Sequence, residues 1–277
     1  MLFRSFPNET RTLHNKLKST PNDTSMQLSA TQLSELRHSG YLILPGLFSE
    51  TEVELLHSRL PTLFADGDPS NIAERSSGQV RTSMGLHLRD DLYARLVRHP
   101  KLFEPAQQIL CEPLYIQQVK VNVKAAFSGE VWQWHYDFAT HRQEDGVPQP
   151  LALNLHVFLE DVTEFNGPLW FIPGSHLLGE HPASLDTSST SYPLWVVDNT
   201  IITDLVRRNG IVSATGGKGT ALIFHDTLLH ASPNNMSPWD RAIFSLILNP
   251  VSNAYTKTAR PDYKHHQDLT PVTALPV

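Results

Sequence analysis

Residues 115–127 read YIQQVKVNVKAAF, and the centre of the run alternates without a break. Val119, Val121 and Val123 fall on one side; Gln118, Lys120, Asn122 and Lys124 fall on the other. A period of two belongs to a β-strand, whose successive side chains point to opposite faces. The polar side has two readings. It is either a solvated sheet face or the inner wall of a barrel, where a lysine is tolerable only with an anion to pair with. LALNLHVFLE (151–160) alternates in the same way, with Asn154 and His156 on the polar side. LWFIP, GTALIFHD and RAIFSLIL are further short strands, and FNGPLWFIPGSH carries Gly-Pro and Pro-Gly turn signals.

The N-terminal third is helical in pattern. SATQLSELRHSG has Ser29 or Thr31 as a cap and Gly40 as a stop, residues 49–64 place apolar residues at helical spacing, and residues 90–110 hold one or two helices interrupted near Pro100. Residues 66–83 read as a long loop and 182–211 as an insertion or lid. The expected fold class is mainly β (α+β), an antiparallel barrel or jelly roll with α-helices packed outside. The expected organisation is a flexible N-terminal tail over 1–27, a single domain over 28–260 and a C-terminal tail over 261–277.

Composition excludes several classes. A net charge of −6 argues against nucleic acid or a membrane surface as partner. One cysteine, Cys111, rules out an internal disulfide framework and argues against a thiolate metal cage. No run approaches 18 apolar residues, the first residues lack a secretory apolar stretch, and ALPV is not a peroxisomal address. A soluble, cytoplasmic protein acting on a small molecule is the expectation.

The chemistry sits in a split set of polar residues. His135 and Asp137 lie two apart in WQWHYDF, so an extended chain points both the same way. His230 and Arg241 follow near the C-terminus. Two histidines and a carboxylate can cap one face of an octahedral Fe(II) ion, leaving positions for a bidentate co-substrate and O₂. A guanidinium grips a carboxylate in bidentate fashion and stays charged, which suits Arg241 to the far carboxylate of 2-oxoglutarate. Ser232, two residues past His230, can add a hydroxyl. Each residue alone has a plainer reading: a chance His-x-Asp, a surface salt-bridge arginine, a solvated strand face. His225-Asp226 is a competing ligand pair, set aside because His230 stands at a strand end. TGGKGT (215–220) lacks phosphate-loop spacing, the adjacent Glu144 and Asp145 diverge on one chain, and Cys111 reads as a small buried hydrophobe.

Together, SGYLILPGLFS, QVKVN, WQWHYDF, EDGVP, NGPLWFIPGSH and the H-A-S of 230–232 followed by Arg241 resemble the phytanoyl-CoA dioxygenase superfamily of Fe(II)/2-oxoglutarate oxygenases, over about residues 30–250. Within it the chain is most similar to the ectoine-hydroxylase-like branch. The resemblance implies a double-stranded β-helix core, cupin-like in architecture. It implies His135, Asp137 and His230 as iron ligands, and Arg241 with Ser232 on the distal carboxylate of 2-oxoglutarate. Lys120, Asn122 and His156 fall where family members touch co-substrate. Gln118, Trp132, His141 and Trp170 are the candidate substrate residues, with Trp132 at an aromatic wall. Two departures weigh against ectoine as substrate. His141 stands where that branch places a tryptophan four residues past the metal Asp, and Lys120 stands where it places an arginine. Retention of Asp137 favours hydroxylation over halogenation. The expected substrate is a small polar molecule, an amino acid or natural-product intermediate. Desaturation, epimerisation or cyclisation with the same cofactors, and a non-catalytic metabolite-binding jelly roll, are the alternatives. A homodimer is compatible with the sequence.

Overall fold

The computed structural model describes residues 26–276, so nearly all of the expected N-terminal tail lies outside the described residues. Where the description begins, the chain is already held. The Met26 amide bonds to the Glu104 carboxylate, and the Leu28 amide to Gln108 Oε1 at 2.8 Å.

Five helices form one layer: α1 (Ala30–Ser39), α2 (Glu50–His57), α3 (Leu60–Ala65), α4 (Asp91–Leu96) and α5 (Pro100–Leu110). Their ends follow from sequence. Ser29 and Ser49 each cap the next helix and form a capping box with Gln32 and Glu52. Gly40 ends α1 at φ 88°, and a Cβ there would lie 2.4 Å from His176 Nδ1, so both conformation and space demand glycine. Cys111 terminates α5 at φ 56° and is exposed, not buried as expected.

The strands are β1 (Tyr41–Leu44), β2 (Asn71–Ala73), β3 (Val80–Met84), β4 (Leu114–Lys124), β5 (Trp132–His135), β6 (Leu153–Phe158), β7 (Leu169–Phe171), β8 (Ala183–Asp186), β9 (Leu194–Val197), β10 (Val212–Ala214), β11 (Ala221–His225), β12 (His230–Ser232) and β13 (Arg241–Pro250). They form a major sheet in the order β1-β11-β6-β13-β4-β3-β2, a minor sheet β10-β7-β12-β5 and a hairpin β8-β9. The strand pairings are antiparallel. The two sheets face each other as a jelly roll, the double-stranded β-helix that the sequence led us to expect.

Alternation decides which layer each residue joins. Val119 and Val121 of β4, Leu155 and Val157 of β6, and Phe244 and Leu246 of β13 pack against the helices. The intervening residues turn inward. Phe158, Phe171, Leu222, Phe224 and Ile243 fill part of the space between the sheets, and the polar Gln118, Lys120, Asn122 and His156 line the rest. Of the two readings of the polar face of β4, the inner wall holds.

Three segments depart from the sequence reading. The loop expected over 66–83 contains β2 and β3, which extend the major sheet. The aperiodic 182–211 stretch holds β8, β9 and helix α7 (Asn199–Asn209), which buries Ile202 and Leu205. The expected C-terminal tail is packed down: the Val272 amide bonds to Leu114 O at 2.7 Å, the Leu275 amide to Arg98 O at 2.9 Å, and His265 is fully buried. Among the described residues no helix is long and apolar enough to cross a membrane.

Candidate metal and co-substrate site

β5 and β12 are neighbours in the minor sheet, and their register sets His135 opposite His230. The chain leaves β5 through Tyr136 and turns into the short helix α6 (Asp137–Thr140), which brings the Asp137 carboxylate between the two imidazoles. His135 Nε2 is 3.9 Å from Asp137 Oδ1, and His230 Nε2 is 3.9 Å from Asp137 Oδ2. The three candidate ligand atoms lie within 4.8 Å of one another, a span that one ion can bridge.

The imidazoles are set for a metal. His135 Nδ1 lies 2.6 Å from Gln133 O, and His230 Nδ1 lies 2.9 Å from Leu228 O. A carbonyl only accepts, so each Nδ1 carries the proton and each Nε2 keeps its lone pair. Burial, reinforced by His230, pulls the His135 pKa down to about 3, so this ring is neutral at physiological pH. For Asp137 burial works the other way. It is outweighed by His230, Lys120 and His135, which hold the carboxyl below its ordinary range and ionised.

Arg241 opens β13 on the facing sheet, is 1% exposed and lines the same cavity. Among the described residues its guanidinium has no hydrogen-bond or ion-pair partner, and its Nε is buried and unpaired. Burial lowers its pKa to about 9, still far enough above neutrality to keep the charge. Among the described residues Lys120, which also faces the cavity, has no ion pair either, and its pKa is lowered by burial against the pull of Asp137. Buried cations without counter-charge are costly, and a carboxylate ligand relieves that cost. Asn122 Oδ1 and His156 Nδ1 add unpaired polar atoms, while His156 Nε2 is 2.9 Å from Ser245 Oγ. The donor set suits Fe(II), and the cations suit a dicarboxylate chelating it.

The cavity collects His135, Asp137, His230, Arg241, Lys120, Asn122, His156, Gln118, Trp132 and His141. Two expected residues stay out. Ser232 is buried but donates its hydroxyl to Gly167 O at 2.9 Å. Trp170 sits between Leu169 and Phe171 on β7; Leu169 lines the cavity and Phe171 packs near His230, so alternation turns Trp170 to the opposite face. Gln118 reaches the cavity but donates its Nε2 to Lys264 O at 2.7 Å, holding the C-terminal segment. His141 pairs through Nδ1 with the buried Asp226 at 3.1 Å, which gives the set-aside carboxylate a use behind the cavity wall.

Tyr192, Leu194 and Arg260 also line the cavity and were not singled out from sequence. Tyr192 and Leu194 come from the β8–β9 hairpin, and Tyr192 packs on Trp132 at 5.3 Å between ring centroids. Arg260 grips the buried Asp145 through two bonds of 2.8 and 2.5 Å. A short Tyr-Pro-Leu-Trp run marked the hairpin weakly; nothing periodic marked Arg260.

Residues 36–243 match the family model for phytanoyl-CoA dioxygenase (PhyH). The chain belongs to this family. Among the members it resembles is the L-proline trans-4-hydroxylase of Streptomyces griseoviridis, 37% identical over 85% of this chain and 92% of that protein. The ectoine dioxygenase of Sphingopyxis alaskensis is 35% identical over 83% of this chain and 78% of that protein. The crystal structure of EctD from S. alaskensis with 2-oxoglutarate and 5-hydroxyectoine superposes with a TM-score of 0.80 at 32% identity, covering 93% of this chain and 90% of that one.

Proposed function

We infer that this family member is an Fe(II)/2-oxoglutarate-dependent dioxygenase that hydroxylates a C–H bond of a small polar molecule. The observation that carries the reading is the convergence of the three ligand atoms of His135, Asp137 and His230 on a cavity that also holds the unpaired buried guanidinium of Arg241.

His135 and His230 would hold the iron through Nε2 and Asp137 through its carboxylate. Arg241 would hold the distal carboxylate of 2-oxoglutarate, with Lys120, Asn122 and His156 around the co-substrate. The iron, when bound, supplies O₂ activation coupled to decarboxylation of 2-oxoglutarate to succinate. The chain's own work is to fix the ligand geometry, orient the two small molecules and keep water out. Leu169, Leu194 and Ile243 give the cavity apolar walls, and Trp132 with Tyr192 closes one side.

The substrate we propose is a free amino acid or a close relative carrying a carboxylate. Two features support that. Arg260 brings a second guanidinium to the cavity, tethered to Asp145 in a fixed orientation. His141, braced by Asp226, turns its other ring nitrogen away from that pair as a further polar contact. The relatives named for L-proline and ectoine agree with a small polar substrate. We further propose a single catalytic domain working in the cytoplasm as a monomer or homodimer, with no nucleic-acid or membrane partner.

Anaerobic titration of the Fe(II)-loaded protein with 2-oxoglutarate tests the cofactor reading. A weak visible charge-transfer band is expected in wild type and lost in His135→Ala. A screen of free amino acids, L-proline first, then reads substrate-dependent succinate and a hydroxylated product. Metal binding with no band would refute the reading.

A further inference from the structure

Arg241 has an anion behind it. β13 pairs with β6 in a register that sets Ile243 opposite Phe158, and the Leu159 amide continues it by donating to Ala242 O at 3.0 Å. Continuing the same direction by one residue brings Glu160 alongside Arg241, with Glu160 lining an outer cleft and Arg241 the inner cavity. The two do not close into an ion pair. His57 Nε2, from α2, donates to Glu160 Oε1 at 3.1 Å, which leaves Oε2 buried and unpaired. Arg241 Nε is buried and unpaired as well. An unmatched acceptor, just past the end of β6, and an unmatched donor, at the start of β13, thus stand on neighbouring segments.

The other charges around Arg241 are of the wrong sign or already committed. Lys124 lies opposite it on β4, and each cation is disfavoured by its neighbours. Arg81 pairs with Glu130 at 3.1 Å. Glu74 accepts from the Glu130 amide at 2.7 Å and the Gly129 amide at 3.3 Å. Asp240 shares an open cleft with His57 and Glu160, and its Oδ1 accepts from the Ala126 amide at 2.7 Å. Of all these groups, Glu160 is the anion that acts most strongly on Arg241.

We propose that Glu160 is a positioning residue that sets the strength of the co-substrate anchor: its carboxylate stabilises the Arg241 guanidinium while the anchor is empty, and the incoming carboxylate of 2-oxoglutarate competes with it. The proposal rests on the reading of Arg241 as that anchor. The His57 hydrogen bond holds the Glu160 carboxylate short of Arg241, so the guanidinium stays free to turn toward the cavity. The cleft lined by His57, Phe64, Glu160 and Asp240 opens on the Glu160 side, away from the cavity that Arg241 lines.

The test is Glu160→Gln, which keeps the shape and removes the charge. Anaerobic titration of the Fe(II)-loaded variant should give a dissociation constant for 2-oxoglutarate about tenfold lower than wild type. Without 2-oxoglutarate the variant should melt below wild type, and saturating 2-oxoglutarate should raise its Tm by more than it raises that of wild type. His57→Gln keeps a donor on Oε1 and leaves Glu160 charged, so it should not tighten binding. If Glu160→Gln alone does not fold, the double change with His57→Leu removes both halves of the pair and should show the same fall in dissociation constant. Unchanged or weaker affinity in Glu160→Gln, or equal tightening in His57→Gln, overturns the proposal. A wild type that does not bind 2-oxoglutarate refutes the anchor reading instead.

Discussion

His230 stands directly across the minor sheet from His135, and their ring centroids are 4.1 Å apart. At that separation two imidazolium charges repel strongly. Both Nδ1 protons are committed to main-chain carbonyls, so both lone pairs face Asp137. The strands bring together two imidazole nitrogens and a carboxylate, a set that one divalent ion can bridge.

Removing one member of that set should empty it. Asp137→Ala is expected to lose stoichiometric Fe(II), measured by metal analysis after anaerobic loading and desalting. Asp137 is only partly buried and faces a cavity, so the fold should survive, with a Tm close to that of metal-free wild type. Full iron occupancy in the variant would contradict the assignment.

Arg241→Lys keeps a charge and loses the planar fork. The expected result is a KM for 2-oxoglutarate raised about tenfold or more, with a smaller change in kcat. Steady-state assays of succinate release at varied 2-oxoglutarate decide it. An unchanged KM would remove Arg241 from the co-substrate site.

The Arg260–Asp145 pair should matter for stability as well as for the cavity. Asp145 is fully buried, so Arg260→Ala strands a carboxylate, at a cost of about 3 kcal/mol. Arg260→Ala with Asp145→Asn should recover part of that cost. Denaturant unfolding of the two singles and the double closes the cycle, and strictly additive effects would show that the pair is not coupled.

Acid should weaken the fold before its carboxylates titrate. Burial, reinforced by His176, pulls the His225 pKa down to about 4. Burial also pulls His265 to about 4, against the opposing pull of Asp145. Unfolded histidine titrates near 6.5. These folded-state values lie below the unfolded one, so the stability they protect is complete above pH 6.5. It is lost as pH falls toward 4, because the unfolded chain takes up protons that the fold refuses. The slope is about 1.4 kcal/mol per pH unit for each fully refusing group. Melting temperatures of the metal-free protein between pH 7.5 and 5 should fall steadily, and less steeply in His265→Gln. A flat curve would show that these rings are not held neutral.

Much of the site was legible because it is written in local spacing. His135 and Asp137 lie two apart at a strand end, and the polar side of β4 declares its own face once a barrel is assumed. Trp170 was misplaced because three residues of β7 fix a period but not which face points inward; that depends on Phe171 packing near His230, a contact 59 positions away in sequence. Ser232 shares its parity with His230, yet a carbonyl within reach captured its hydroxyl. The C-terminal segment has no periodicity because it is ordered by bonds to other parts of the chain, such as Lys264 O to Gln118 and Val272 N to Leu114. Helix α7 went unseen because only Ile202 and Leu205 of its eleven residues are buried.

The β8–β9 hairpin is fastened at a few polar points: Asp186 to Gln133, Ser191 to Glu130 and Trp195 to Glu144. It delivers Tyr192 and Leu194 to the cavity and packs along β5 through Gln133 and Trp132, but supplies none of the three candidate ligand atoms. The three candidate ligands and this part of the cavity wall therefore come from different segments of the chain. Under the proposed function, changes at the two wall positions Tyr192 and Leu194 can reshape the substrate space while His135, Asp137 and His230 are inherited unchanged.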